Sequence, residues 1–275
     1  GMDFGCYGNE AIKTPNIDQL AEEGLLCKNA FLTTPQCSPT RTSILSGQFA
    51  HSIGTEDLHQ PLNNKTRLIP HFLKKQGYYT GSLMKQHIGK NGTKQFDYVK
   101  GGSDTQSPEI FSSFLDKAKG LPFFAWVAFH DPHRPHGGAK EVHSPDDVVV
   151  PPYFIDNEQT RQDIASYYDE IHRMDKNIGK MIGQLKKRDL RKNTLIIFLS
   201  DNGMPFPRGK ATLYDFGIKT PLIFHWEGNV SEGVEYDNMI SVIDLAPTIL
   251  DVAEAEKSDN MFGKSIKTIF TDQSV

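Results

Sequence analysis

The chain has 275 residues, 37% of them hydrophobic and 10% aromatic, enough for one large domain with a substantial core. A formal net charge of −4 gives no reason to invoke nucleic acid as a partner, and no stretch approaches the ~20 apolar residues of a membrane span. Three cysteines, Cys6, Cys27 and Cys37, are too few and too odd in number for a disulfide framework.

The chain starts Gly1-Met2-Asp3-Phe4 without a basic start or an apolar core, so no signal peptide is read there. Residues 15–26 predict a helix: Pro15 follows Thr14, and Ile17, Leu20, Ala21 and Leu25 share a face. After the turn from Pro35 to Pro39, Thr42 to Leu45 begin a short helix. His71 to Gln76 form another, ended by Gly77, and Tyr78 to Met84 read as a strand. Phe123 to Phe129 and Leu195 to Leu199 are apolar runs without alternation, which suits strands buried on both faces, and Leu222 to Phe224 make a third. Between the first two runs, Ile164, Tyr167, Tyr168, Ile171, Met174, Ile178, Met181, Ile182 and Leu185 recur at helical spacing. Strand, long helix, strand predicts a parallel pair with a right-handed crossover, hence an α/β fold with a doubly wound, mainly parallel sheet flanked by helices. Residues 131–160 carry five prolines and read as a surface excursion.

Ligands of open parallel sheets bind beyond the carboxyl ends of the strands. There stand Lys85-Gln86-His87, His130-Asp131-Pro132-His133-Arg134 and Ser200-Asp201-Asn202-Gly203. An isolated Asp-Asn after a strand is usually turn chemistry, and an isolated His usually structural. Three strand ends delivering imidazoles, an amine, a carboxylate and an amide to one rim argue for a site. Asp201 and Asn202 offer hard oxygens suited to Ca²⁺ or Mg²⁺; Lys85 and Lys210 are point charges for an oxyanion.

Cys37-Ser38-Pro39-Thr40-Arg41 matches Cys-x-Pro-x-Arg within the fifteen residues Thr33 to Gly47. With Thr14-Pro15-Asn16-Ile17-Asp18 upstream, and Lys85-x-His87-x-Gly89, Phe129-His130-x-Pro132-His133 and Ser200-Asp201-Asn202-Gly203 in order downstream, nearly the whole chain resembles the formylglycine-dependent sulfatases of the alkaline-phosphatase-like fold. The resemblance implies that a formylglycine-generating or anaerobic sulfatase-maturing enzyme oxidises Cys37 to formylglycine, whose hydrated aldehyde is the nucleophile. It also implies a divalent cation held in part by Asp201 and Asn202, Arg41 steadying the aldehyde, and Lys85 and Lys210 on sulfate oxygens. His87 would assist breakdown of the sulfated intermediate, and His130 would donate a proton to the leaving group.

The family's first strand ends in two aspartates that complete the metal site, and a smaller antiparallel subdomain follows the catalytic domain. Residues 1–275 are therefore expected to form a catalytic domain lacking that strand and that subdomain. Such a chain must close the gap in its sheet, fill it, or share it by forming a homo-oligomer. Val127 to Arg134, Val149 to Phe154, Arg173-Met174-Asp175 and Ser200 to Pro207 resemble above all the heparan N-sulfatases, although Lys210 stands where arginine is expected. The implied substrate is a sulfated saccharide carrying N-sulfoglucosamine, in a lysosomal, periplasmic or secreted setting. The alternatives are an O-sulfatase for another sulfated glycan and a non-catalytic fragment that binds sulfated sugars; a metal-dependent phosphatase of the same fold fits Cys-x-Pro-x-Arg poorly.

Overall fold

The computed structural model describes residues 1–272. Eight strands, β1 (Leu25–Phe31), β2 (Tyr79–Met84), β3 (Tyr98–Lys100), β4 (Phe123–Ala128), β5 (Ile196–Leu199), β6 (Lys219–His225), β7 (Val234–Tyr236) and β8 (Ile240–Ser241), alternate with helices. The helices are α1 (Pro15–Glu22), α2 (Cys37–Ser46), α3 (Ile69–Lys75), α4 (Gly89–Thr93), α5 (Ser107–Lys117), α6 (Glu158–Lys187), α7 (Asp215–Ile218) and α8 (Leu245–Val252). No helix is long and apolar enough to cross a membrane among the described residues.

The α/β class and the predominance of parallel pairing agree with the sequence, but the sheet is not continuous as expected. It comes in two parts. A parallel three-stranded piece runs β3-β2-β4; a mixed piece runs β5-β6-β1-β7, with β8 beside β1. In the mixed piece β6 lies antiparallel to both β5 and β1. The parallel pairing expected between β4 and β5 does not form: each is the edge of its own piece. Both strands are accordingly half-buried, although their apolar runs predicted burial on both faces, whereas β2 and β6, with neighbours on either side, are nearly all buried. The two edges still share packing. Trp126 joins Ile197 and Leu199 on one side, and Phe123, Ala125 and Val127 join Ile196 on the other. Of the ways to accommodate a gap, direct pairing of the flanking strands is absent, and so is a strand from residues 1–4, which instead run past the end of β5 with Gly1 N donating to Asn202 O at 2.9 Å.

The first helix stops at Glu22 rather than 26, and Leu25–Phe31 forms β1, a central strand that the helical spacing of Leu25 concealed. Its start is fixed by a buried carboxylate on α6. Asp175 accepts from the backbone N of Asn16 and Ile17 at 3.0 and 2.8 Å and from Asn16 Nδ2 at 2.7 Å. A side chain from another helix thus satisfies N–H groups that α1 cannot. Pro15, the first residue of α1, has no N–H to satisfy. Asp18 turns outward to hold the preceding loop through Cys6 N at 2.8 Å. The long helix α6 buries Ile164, Tyr167, Tyr168, Ile171 and Met174 against α1, β5 and β6, and Leu185 against β4.

Candidate active site

The helix bearing Cys37 begins five residues earlier than Thr42, so Cys37 is its first residue, with Gln36 as N-cap. That puts the sulfur where a helix favours negative charge. Pro39 falls in the first turn, where its missing N–H leaves no hydrogen bond unmade. Every side chain of α2 is buried, and Cys37 itself is 3% exposed.

Two loops deliver the groups around it. Lys85 follows β2, and its Nζ lies 3.9 Å from Cys37 Sγ; Lys210 Nζ lies at 3.2 Å. The loop after β5 is folded tightly enough to bring Lys210 there. Gly203 packs against the backbone of Phe216, where any Cβ would lie 1.8 Å from the Phe216 carbonyl oxygen. Lys210 N donates to Met204 O and Ala211 N donates to Pro35 O, each at 2.9 Å, pinning the loop to the segment before Cys37. Cys37 Sγ donates to Asn202 Oδ1 at 3.0 Å. Arg41, one turn along α2, ties the three elements together: Nε donates to Asp201 Oδ2 and a terminal nitrogen to Lys85 O, both at 2.6 Å.

Charge sets the protonation of this cluster. Burial lowers the Lys85 pKa, and Arg41 and Lys210 add to the effect against the opposing pull of Cys37 and Asp201. Burial works to raise Asp201, but Arg41, Lys85 and Lys210 outweigh it and hold the carboxyl below its ordinary value. His87 is pushed down to about 4, by burial first and then by Lys85, Arg41 and His59, so its ring is neutral at physiological pH. Its buried Nδ1 has no hydrogen-bond partner among the described residues.

The structure brings together Cys37, Arg41, Lys85, His87, Lys210, Asp201 and Asn202. It places His130 differently. The His130 backbone N donates to both carboxylate oxygens of Asp104 at 3.0 Å, and its ring Nδ1 pairs with the same carboxylate at 3.1 Å. Of the two imidazoles in the Phe-His-x-Pro-His run, His133 is the one in electrostatic reach of the cluster. Burial lowers its pKa, and Lys85 and Lys210 lower it further against Asp201. His133 Nδ1 sits 2.6 Å from Arg134 O, a carbonyl that can only accept, so Nδ1 carries the hydrogen and Nε2 is the nitrogen free to exchange a proton. The clue lay in the sequence: His133 closes the same Phe-His-x-Pro-His run, three residues on. His130 serves instead in the anchor of this loop, where Asp104 also takes Asp131 N at 2.7 Å and Arg173 grips Asp131 through two nitrogens at 2.8 and 2.7 Å.

A Ca²⁺ site takes about six to eight oxygens. The described residues bring the Asp201 carboxylate, already engaged by Arg41, and Asn202 Oδ1, engaged by Cys37. No three His, Cys, Asp or Glu residues stand together as a metal-binding group among the described residues. The pair has the right chemistry but does not by itself make a site.

The Sulfatase family profile matches residues 1–255. The chain belongs to the sulfatase family. It is 35% identical to human N-sulphoglucosamine sulphohydrolase over 91% of its length and 58% of that protein. It is 26% identical to an ulvan-active sulfatase of Formosa agariphila over 96% of its length and 52% of that relative. It thus spans little more than half of these curated relatives. Among solved structures, Ps i-CgsB in complex with k-i-k-neocarrahexaose superposes with a TM-score of 0.85 at 25% identity, covering 99% of this chain and 74% of that one. This agreement places the two sheet pieces in a sulfatase-type, alkaline-phosphatase-like α/β fold.

Proposed function

We propose that this sulfatase-family chain carries the anion-binding and nucleophile-bearing part of a hydrolase that removes sulfo groups from a sulfated glycan, with N-sulfoglucosamine as the favoured unit. The observation that carries the proposal is the buried Cys37 at a helix N-terminus, with two lysine nitrogens at 3.2 and 3.9 Å from its sulfur. Positive charge converging on one side-chain atom suits a nucleophile that must meet a sulfo group and withstand the charge gathering on its oxygens.

Formylglycine made from Cys37 by a maturation enzyme would supply the hydroxyl nucleophile that a thiol lacks. The side chain fits that change: Cβ is held at the first position of α2, and Asn202 Oδ1 already accepts a hydrogen there. Lys85 and Lys210 bind the sulfo oxygens. Arg41 holds Asp201 and the Lys85 carbonyl in place. His133 Nε2, on a ring whose other nitrogen is fixed, exchanges the proton with the departing amine or hydroxyl. Neutral His87 can accept a proton from a hydroxyl beside Lys85. Asp201 and Asn202 are the oxygens this chain would offer a divalent cation in company with further ligands. The preference for N-sulfoglucosamine draws on the likeness to human N-sulphoglucosamine sulphohydrolase, and association through the unpaired edges of β4 and β5 follows from each having a strand neighbour on one side only among the described residues.

Co-expression with a formylglycine-generating enzyme tests the reading. The peptide containing Cys37 should lose about 18 Da as thiol becomes aldehyde, and the matured protein should release sulfate from glucosamine N-sulfate faster than from glucosamine 6-sulfate. Conversion without sulfate release from either sugar would leave a saccharide-binding role; failure to convert would refute the nucleophile assignment.

A further inference from the structure

We propose that His59 is the residue through which this site reads the saccharide that carries the sulfo group. The inference rests on the reading of the Cys37 cluster as a sulfo-binding site.

Three observations meet at this residue. His59 N donates to Ser38 Oγ at 2.8 Å, so its backbone is tied to the residue that follows Cys37. Its ring stands edge-on to His87, centroids 5.0 Å apart at 72°. Its backbone is left-handed, at φ 66°, a conformation that Gly, Asn or Asp adopts at lower cost than histidine. The turn itself is secured by others: Asp57 N donates to Gln60 Oε1 at 2.9 Å, and Gln60 N to Asp57 O at 3.3 Å. The imidazole therefore adds nothing to the turn's own bonding.

Nor does it serve the core. His59 is exposed, and its ring makes no hydrogen bond among the described residues, whereas its neighbour His87 is partly buried. A solvent-side ring, on a backbone tied to the residue after Cys37 and in a conformation that penalises it, fits a group kept for a ligand. The ligand's chemistry follows from the position. The sulfo oxygens are taken by Lys85 and Lys210 at Cys37. What reaches the solvent side of His87 is the sugar ring on the far side of the scissile bond. An imidazole presents that ring with one donor, one acceptor and a flat face, a set matched to the hydroxyls and C–H face of a hexosamine. Inorganic sulfate has no atoms there.

Calorimetric titration with two probes, sodium sulfate and glucosamine N-sulfate, tests the assignment on the full chain and on His59→Gly and His59→Asn. Both substitutions suit the left-handed backbone, so thermal unfolding should show no loss of stability in either. The expected result is a sulfate affinity within about two-fold of the original in both variants, while glucosamine N-sulfate binds about 5- to 20-fold more weakly to His59→Gly, with part of the loss restored in His59→Asn. Equal losses for both probes would make His59 part of the sulfo cradle and overturn the assignment, and so would unchanged saccharide binding. If the original chain binds sulfate but holds glucosamine N-sulfate no tighter, the saccharide role of His59 fails while the anion site stands. If it binds neither probe, the reading of the Cys37 cluster fails with it.

Discussion

Arg41 is the residue whose removal should cost this fold most. Its side chain is 5% exposed and that of its partner Asp201 is 21% exposed, and the Nε–Oδ2 distance is 2.6 Å. Arg41→Met keeps the length and apolar stem but strands the Asp201 carboxylate and removes the donor from Lys85 O. Breaking one side of a buried pair costs about 3–5 kcal/mol. Lys85 and Lys210 remain to hold part of the Asp201 charge, which favours the lower end, and the lost bond to Lys85 O adds about 1 kcal/mol. The expected loss is about 3–4 kcal/mol, a large share of the ~5–15 kcal/mol typical of a domain. Urea unfolding measures it, with Asp201→Asn and the double variant completing a cycle. The double variant should be less damaged than the sum, by about 1–3 kcal/mol, because it has no stranded carboxylate. The pH dependence has a definite sign. Asp201 in the folded state sits below the ordinary carboxylate value, so its pairing stabilises the protein above pH ~4 and is lost as pH falls through the folded value. The deficit of Arg41→Met should therefore be largest at neutral pH and shrink in acid. A deficit below about 1 kcal/mol at pH 7, or one constant from pH 3 to 7, would refute the reasoning.

Other expectations are simpler to check. The His87 ring signals should titrate near pH 4 in an NMR series, and an inflection near the ordinary histidine value would contradict the burial and charge described for it. Asp175→Ala should destabilise by about 2–4 kcal/mol, since it leaves Asn16 and Ile17 N–H groups buried without an acceptor; thermal unfolding gives the value. Arg173→Leu should loosen residues 131–142, where it grips Asp131, and speed limited proteolysis there while β2 and β6 stay protected. Light scattering at rising concentration should show association through the β4 and β5 edges; a monomer throughout would remove that proposal.

What could be read from sequence follows from how each feature is encoded. Cys37 and Arg41 sit in one short run whose chemistry is local, and Lys85 and Asp201 follow strands marked by apolar runs, so these candidates were legible. The strand β1 was not, because Leu25 and Leu26 continue the spacing of α1 and only tertiary pairing with β6, β7 and β8 makes the segment extended. The choice between His130 and His133 was not legible for a related reason. Two imidazoles three residues apart are equivalent in sequence, and the difference lies in Asp104, a residue 26 positions away whose carboxylate collects the His130 backbone and ring. The apolar runs of β4 and β5 correctly announced strands. Their pairing depends on neighbours that a run cannot specify.

The cluster around Cys37 holds three cations, Arg41, Lys85 and Lys210, against one carboxylate, Asp201. This surplus suits a dianion such as sulfate and disfavours the empty state, since like charges crowd one another in a partly dry setting. Lys85 records the conflict: burial, with Arg41 and Lys210, lowers its pKa. A bound sulfate would reverse that balance, so binding and protonation must be linked. Sulfate prefers protonated Lys85, and its affinity should fall as pH rises through the lowered value, below the ~10.4 of an ordinary lysine. Lys85→Arg keeps its charge to above pH ~12 and should flatten this part of the profile, whereas Lys85→Met should bind sulfate about ten-fold or more weakly at every pH. The same substitution relieves the crowded charge, so Lys85→Met should unfold at a temperature no lower than the original in sulfate-free buffer. Sulfate at ~100 times its dissociation constant should stabilise the original chain by about 2.7 kcal/mol. Thermal midpoints against sulfate concentration, repeated from pH 6 to 10, read all of this in one series. A sulfate affinity that stays level until ordinary lysines titrate, or a Lys85→Met variant that loses stability without sulfate, would show that Lys85 holds the fold and not the anion.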